Sequence, residues 1–221
     1  MMRTFARVLA ATAIIAIWAP TAHAAGDAPD AADAAVDPSP PRLLGVLPNY
    51  TTVDRPHVAA ETTHDSFRMA ALGSFDPVVY PLIGVMTMVD SGDRTSSYEA
   101  RFSRAFADNA IGNFMTTAIV PSLTNEDSRY FRRGTGGLFS RVAYAASRSV
   151  VTRTRAGAST LNISELAGTA AAAGVSNIYY SPADRTMSAT MSRWSTQVMW
   201  DTVANELKEF WPDIRHKLHK R

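Results

Sequence analysis

Helix start signals recur along the chain, and they restrict its fold more than any other feature of the sequence. In a capping box, a side chain at the helix start accepts a backbone N–H, and a carboxylate three residues later reaches back. The pattern occurs at Thr62 with Asp65, Ser96 with Glu99, and Asn162 with Glu165. Asp76 followed by Pro77 marks a further start, because proline at the first helical position loses no hydrogen bond. Strand signals do not recur in this way, so the pattern predicts an all-α fold.

About six helices are predicted, and most of them end at a glycine or a proline. They cover residues 64–72, 78–89, 96–120, 138–153, 162–181 and 187–211. Gly73, Pro121, Pro182 and Pro212 are the expected stops. In the third helix, the apolar residues recur every four positions from Phe102 to Ala118, which is typical of an amphipathic helix lying on a core.

The sixth helix changes its apolar face along its length. At 100° per residue, Met187, Met191, Trp194 and Val198 fall on one side, and Trp200, Val203, Leu207 and Phe210 on nearly the opposite side. A helix on a single surface keeps one apolar face. This helix is therefore predicted either to kink near Met199 or to pack its two halves against different neighbours.

The stretch "SELAGTAAAAGVSNIYYS", residues 164–181, is rich in alanine and glycine. Alanine favours helix, and the apolar part from Leu166 to Val175 is much shorter than the about 20 residues of a membrane span. Small side chains in nearly every direction predict a helix at the centre of the domain, approached closely on all sides.

The N-terminus resembles a secretion signal followed by a linker. Arg3 and Arg7 precede the apolar run 8–19, and Ala22-His23-Ala24 suits a signal peptidase. Residues 1–24 are therefore predicted to be a signal peptide, and the Asp/Ala/Pro-rich residues 25–41 a disordered linker. Residues 42–221 are predicted to form a single helical domain.

Charge and cysteine content narrow the functional classes. Residues 1–24 carry two arginines and no acid, so without them the formal net charge falls from +2 to zero. The balance gives no support for nucleic acid as a partner. Because the chain has no cysteine, stability must come from packing rather than from disulfides.

The segment "TNEDSRYFRRGTGG", residues 124–137, has the most suggestive chemistry and is predicted to be a polar turn. Guanidinium groups together with unpaired backbone N–H groups can hold a phosphate or carboxylate. The predicted anion-binding residues are Arg129, Arg132, Arg133, Gly134 and Gly136. In the alternative interpretation, these arginines pair with Glu126, Asp127 or helix C-termini. The lysine of a P-loop is missing.

Other catalytic or ligating patterns are weak, and the sequence assigns neither a catalytic residue nor a cofactor. His57, Glu61 and His64 have a spacing that could share one helix face. However, the helix start at Thr62 leaves His57 outside the helix, so no metal site is predicted. The common hydrolase signatures do not occur.

Four blocks of the chain resemble an uncharacterised family of exported proteins of the Gram-negative cell envelope. They are "GSFDPVVYPLIGV", "EDSRYFRRG", "NISELAGTAAAAGVSNIYY" and "KEFWPDI". The resemblance extends from about Thr62 to Arg215 and implies a shared fold and an envelope location. The family has no assigned activity, so no functional residue is carried over.

Two classes of function follow from these patterns. The favoured one is a non-enzymatic structural or interaction module, exported to the periplasm or outer membrane. Its partner would be an envelope protein, a membrane surface or a second copy of the chain. The alternative is a periplasmic enzyme or a binder of an anionic ligand that uses residues 129–137.

Overall fold

Six helices make up most of the part of the chain that a computed structural model of the protein describes, namely residues 42–44, 47–54, 58–89 and 96–219. They are α1 Thr63–Phe75, α2 Val79–Val89, α3 from Tyr98–Asn113 through Phe114–Ile119 to Val120–Thr124, α4 Leu138–Ser147, α5 Ile163–Ser176 and α6 Met187–His219. The predicted helical character is confirmed. The signal peptide and linker predicted for residues 1–24 and 25–41 lie outside the described residues.

Five short strands show that the all-α prediction was incomplete. They are β1 Thr52–Val53, β2 Glu126–Asp127, β3 Tyr130–Phe131, β4 Val151–Thr154 and β5 Ser159–Leu161. Strands β1 and β3 pair in parallel, and β2, β4 and β5 form an antiparallel sheet in the order β2-β4-β5.

Two of the predicted boundaries change because of these strands. The polar turn 124–137 contains β2 and β3, and the fourth helix ends at Ser147 instead of 153. The β-branched run from Val150 to Thr152 favours extended backbone. Gly157, with φ +86°, then makes the turn between β4 and β5.

The helix start signals are mostly confirmed. At α1, Thr62 and Asp65 form the predicted capping box in both directions. At α5, the side chain of Asn162 accepts the Glu165 N–H at 2.9 Å. The start of α3 was wrong by one residue, since Ser97 rather than Ser96 caps it through the Ala100 N–H.

Pro121 does not end α3, contrary to expectation. The six residues Phe114–Ile119 form a π-helix, and the Val120 N–H bonds to the Met115 carbonyl five residues earlier. The wider turn relieves the clash that a proline ring makes with the carbonyl four residues before it. The helix therefore continues to Thr124 and ends at Asn125, which has a left-handed backbone.

Pro212 does not end α6 either, and the helix continues to His219. Arg141 of α4 bonds to the Glu209 carboxylate and carbonyl on one side of the proline and to Asp213 on the other. This clamp supports the helix where the proline removes a hydrogen bond.

The two halves of α6 contact different neighbours, which was one of the two alternatives predicted from its change of apolar face. In the first half, the Trp194 indole donates to the Leu166 carbonyl of α5 at 3.1 Å. In the second half, Glu209 and Asp213 bind Arg141 of α4.

Helix α5 is not surrounded on all sides. Gly168, Thr169, Ala172 and Ala173 are buried, whereas Ala170, Ala171 and Gly174 are exposed. The close approach is confined to Gly168, where an added Cβ would lie 3.2 Å from the Met115 carbonyl oxygen of the π-helical segment. The small residues therefore allow close packing on only one face of the helix.

Among the described residues, no single helix is long and apolar enough to cross a membrane. The pair α1 and α2, bent by 54°, passes the same test only when both helices are taken together.

Gly168→Ala is expected to lower the free energy of unfolding by about 1–3 kcal/mol, because its Cβ would press on the helix backbone at Met115. Gly174→Ala is the matched control. It has no atom within 4 Å of the added Cβ and should raise stability by up to about 1 kcal/mol through helix propensity. Urea unfolding of both variants measures the difference, and equal effects would contradict the packing described for α5.

Candidate functional site

The predicted anion-binding turn holds a carboxylate that belongs to the protein itself. Glu209 of α6 is fully buried. Its carboxylate accepts the Arg133 N–H at 3.0 Å, the Gly134 N–H at 2.9 Å and the Tyr130 hydroxyl at 2.9 Å. The Arg141 guanidinium completes the set at 2.9 Å. The backbone of the turn therefore has the affinity for an anion that its sequence suggests, and Glu209 occupies it.

The surroundings of Glu209 favour its charged form. Burial raises the pKa of its carboxyl, but the hydrogen bonds from Arg141 and from the two amides outweigh burial and lower the pKa. Burial and the neighbouring Glu209 charge raise the pKa of the Tyr130 hydroxyl, so Tyr130 remains a donor. Gly134 at φ +66° and Gly136 at φ +103° supply the left-handed backbone of the turn.

The three predicted arginines do not converge on one point. Arg129 binds the Asp127 carboxylate at 2.9 and 2.6 Å. The Arg132 Nε lies 3.1 Å from an oxygen of Asp54. The Arg133 guanidinium lies 5.9 Å from the centre of the Tyr144 ring. Binding of an external anion by these five residues stays a prediction, and such an anion would compete with Glu209 for the Gly134 amide.

A second buried carboxyl, Glu61, ties the start of α1 to the turn between β2 and β3. It accepts the Ser66 hydroxyl at 2.6 Å and both the N–H and the hydroxyl of Ser128 at 2.7 Å. Burial, followed by its contact with Asp127, raises the pKa of Glu61 to about 7.

Of the two histidines whose spacing suggested a shared helix face with Glu61, His57 lies outside the described residues and His64 is exposed. No group of three metal-ligating side chains is found in the described ranges.

A polar chamber of about 140 Å³, open in part to the surface, lies between the sheet β2-β4-β5 and helices α3 to α6. Its lining is rich in charged and amide side chains. Its charged walls are formed by Asp127, Arg129, Arg148, Arg153, Glu165, Asp201 and Lys208. Asn113, Asn162 and Asn205 add amide groups. The chamber can therefore both donate and accept hydrogen bonds.

Two acids of the chamber form a pair, Glu165 of α5 and Asp201 of α6. Burial and the neighbouring Asp201 raise the pKa of Glu165 well above its usual value. Burial also raises the pKa of Asp201. The nearby Lys208 ammonium acts in the opposite direction and lowers the pKa of both acids. The Glu165 Oε1 has no hydrogen-bond partner among the described residues, so the pair has an acceptor left over.

Three cations of the chamber lack a carboxylate partner. Arg148 stacks 4.7 Å from the centre of the Tyr144 ring, and Arg153 lies 4.6 Å from the centre of the Phe131 ring. The Lys208 ammonium lies 5.9 Å from the centre of the Tyr130 ring. Burial lowers its pKa, and the charges of Asp201 and Glu165 oppose this shift in part. Within the described ranges, none of the three has a carboxylate oxygen within 4.0 Å. Burial likewise lowers the pKa of Arg148.

A wider groove of about 790 Å³ lies beside the chamber, between α3, α5 and α6. The two cavities share Asn113, Thr116 and Asp201. In the groove, the Asp108 carboxylate accepts the hydroxyls of Tyr179 and Tyr180, both at 2.6 Å. Asp201 thus lines both the chamber and the wider groove.

Of the charged residues that line the chamber, only Arg129 was predicted from the sequence to bind an anion. Arg148 stood out only by its spacing of seven from Arg141, and Glu165 only as part of a helix start. Lys208 is flanked by Glu206 and Glu209, so its local sequence looks like that of an ordinary solvent-exposed helix.

No family model matches the chain, and neither a curated protein nor a solved structure is significantly similar to it. The resemblance to exported envelope proteins therefore stays a prediction.

Glu209→Gln should lower the free energy of unfolding by about 3 kcal/mol, because a neutral amide leaves Arg141 and the turn amides without their anion. Glu206→Gln, one turn earlier on α6, is the matched control. Burial and the charge of Glu209 raise the pKa of Glu206 to about 7, so its loss should be neutral or stabilising at pH 8. Urea unfolding at pH 8 compares the two, and equal losses would contradict the role given to Glu209.

Glu61 should make stability depend on pH. The pKa of this acid is about 7 in the folded chain and about 4.5 in the unfolded chain, so the folded protein holds the proton more tightly. The melting temperature should therefore fall as the pH rises from about 4.5 through 7. Glu61→Gln, which keeps the shape without ionising, should make this fall shallower. A fall as steep in the variant as in the unaltered protein would show that other groups cause it.

Proposed function

We propose that the protein binds a small anion in the polar chamber. The observation that carries this proposal is the set of Arg148, Arg153 and Lys208, three half-buried cations without a carboxylate oxygen within 4.0 Å among the described residues. Removing a charge from water without a close partner costs free energy. An anion that enters the chamber would offset this cost, and its binding would be strong for that reason.

The acids of the chamber do not balance these cations. Asp127 is already paired with Arg129, and burial raises the pKa of both Glu165 and Asp201, which disfavours two full negative charges on this pair. The remaining excess is positive. The chamber therefore favours a phosphate or a carboxylate over a neutral or cationic ligand.

The size of the chamber limits the ligand. A volume of about 140 Å³ corresponds to about five water molecules at about 30 Å³ each. A phosphate or a short carboxylate fits within it. A larger ligand would place only its anionic group there and extend into the neighbouring groove past Asp201.

The Glu165–Asp201 pair would act as a proton donor to the bound anion. Burial raises the pKa of both acids, and a proton held by the pair would hydrogen-bond to an anionic oxygen as a general acid does. Arg148, Arg153 and Lys208 would supply charge, and Asn113 and Asn205 would orient the ligand.

The proposal includes the predicted setting of the domain. Residues 42–221 would form a single helical domain, exported to the periplasm or to the outer membrane. Its support is the pattern of basic start, apolar run and small residues in 1–24.

Inorganic phosphate and acetate are the probes for this function. Lys208→Met and Arg153→Gln should each weaken binding at least tenfold, which corresponds to about 1.4 kcal/mol. Arg132→Gln, which alters the turn and leaves the chamber intact, should bind like the unaltered protein. Calorimetric titration at pH 7 measures all four proteins. Loss of binding in Arg132→Gln alone would move the site to the turn.

A structural or interaction module of the envelope is the second candidate function. The observation that favours it is that the Arg133 and Gly134 amides are already satisfied by Glu209. If neither probe binds, and Lys208→Met simply raises the melting temperature, the buried charges serve the fold and this second function is preferred.

A further inference from the structure

The chamber contains acids as well as cations, although attraction of an anion requires only the cations. Glu165 and Asp201 line the same small space as Arg148, Arg153 and Lys208. A charged acid repels an anion at short range. Because the chamber measures only about 140 Å³, a ligand that fills it lies close to the acids and to the cations at once. The acid pair therefore influences which anions can bind.

The acid pair has more hydrogen-bond acceptors than donors. The Glu165 Oε1 is buried and has no hydrogen-bond partner among the described residues. Two carboxyl groups have four oxygens, and one proton shared between them supplies a single donor. The Lys208 ammonium lowers the pKa of both acids, which opposes the loss of both negative charges. The pair is therefore short of a donor that the protein itself does not provide at Glu165.

A hydroxyl group on the ligand would supply the missing donor. A buried acceptor without a partner costs free energy, and an O–H group that bonds to it removes this cost. An anionic oxygen in the same place leaves the acceptor unpaired and adds repulsion between like charges. A site arranged to bond a ligand hydroxyl strongly rejects an analogue that lacks the hydroxyl, because the buried polar group of the site is then left unpaired.

Phosphate and sulfate differ in this one property. Both are small tetrahedral oxyanions, and both suit the size of the chamber. Phosphate keeps at least one P–OH group near neutral pH, so it can donate a hydrogen bond and accept others. Sulfate has no hydroxyl and can only accept. Beside a pair of acids with an unpartnered oxygen, phosphate therefore gains a hydrogen bond where sulfate meets repulsion.

We propose that the Glu165–Asp201 pair makes the chamber selective for phosphate that carries a P–OH group over anions without a hydroxyl, such as sulfate. The P–OH group donates to a carboxyl oxygen of the pair, and the charged oxygens face Arg148, Arg153 and Lys208. A proton held by the pair can still donate to another oxygen of the same anion. This inference rests on the proposed function and names the ligand of that site.

Calorimetric titration of the full chain at pH 8 tests the selectivity, because inorganic phosphate and sulfate are then both mainly dianions and differ in the hydroxyl. Phosphate should bind at least 100-fold more tightly than sulfate. Equal affinities would overturn the selectivity and leave the proposed anion-binding function intact. If neither anion binds, the proposed function fails and this inference fails with it.

Two variants connect the selectivity to the acid pair. Glu165→Gln and Asp201→Asn keep the shape of the side chain and replace one carboxyl oxygen with an NH₂ donor, so each should narrow the phosphate-to-sulfate ratio at least tenfold. Asp184→Asn is the matched control, because Asp184 lines the neighbouring groove and not the chamber, and it should keep the ratio. An unchanged ratio in both pair variants, with unchanged helical circular dichroism, would overturn the proposal. The comparison of the two anions on the unaltered protein holds even if a variant fails to fold.

Discussion

The carboxylate of Glu209 joins α6 to the stretch 130–141, which lies 68 to 79 residues earlier in the chain. It accepts the Arg133 and Gly134 amides of the turn, the Tyr130 hydroxyl of β3 and the Arg141 guanidinium of α4. Arg141 in turn holds Asp213 beyond Pro212. The shape of the turn, the docking of α4 and the continuation of α6 past its proline therefore depend on one buried ion pair.

Two other buried carboxylates link distant segments in the described structure. The Glu126 carboxylate, almost fully buried, accepts the N–H groups of Ile163 and Ser164 and so fixes the start of α5 onto β2. Glu61 does the same between α1 and Ser128. Each carboxylate replaces the water that the amides of a helix start or turn would otherwise bind. In a protein without disulfides, these links between distant segments fulfil part of the role of covalent cross-links.

Local signals were predictable from the sequence, and features that depend on distant partners were not. The caps at Thr62 and Asn162 involve atoms within three residues, so their patterns identify α1 and α5 correctly. Strands β1 and β3 pair Thr52 with Tyr130, and nothing in either short segment indicates its partner. The prolines misled for the same reason, since the π-helical turn and the Arg141 clamp that accommodate them arise from packing.

The candidate site shows the same contrast between local signals and features that depend on distant partners. The amides of the Arg–Gly turn do hold a carboxylate, as their chemistry suggests, but only the fold reveals that the carboxylate is Glu209. Conversely, Arg148, Arg153 and Lys208 are ordinary in sequence. Their significance comes from the fold, which gathers them in the chamber without an acid within 4.0 Å in its described part. No local pattern in the sequence indicates this arrangement.

The three cations of the chamber depart from an otherwise consistent arrangement. Most buried charges among the described residues have a close partner, as Asp76, Asp127 and Glu209 do, whereas Arg148, Arg153 and Lys208 have no carboxylate oxygen within 4.0 Å. Partly burying a charge without a close partner lowers the stability of the protein without ligand. A bound anion would offset this cost, so the protein would be more stable with its ligand than alone.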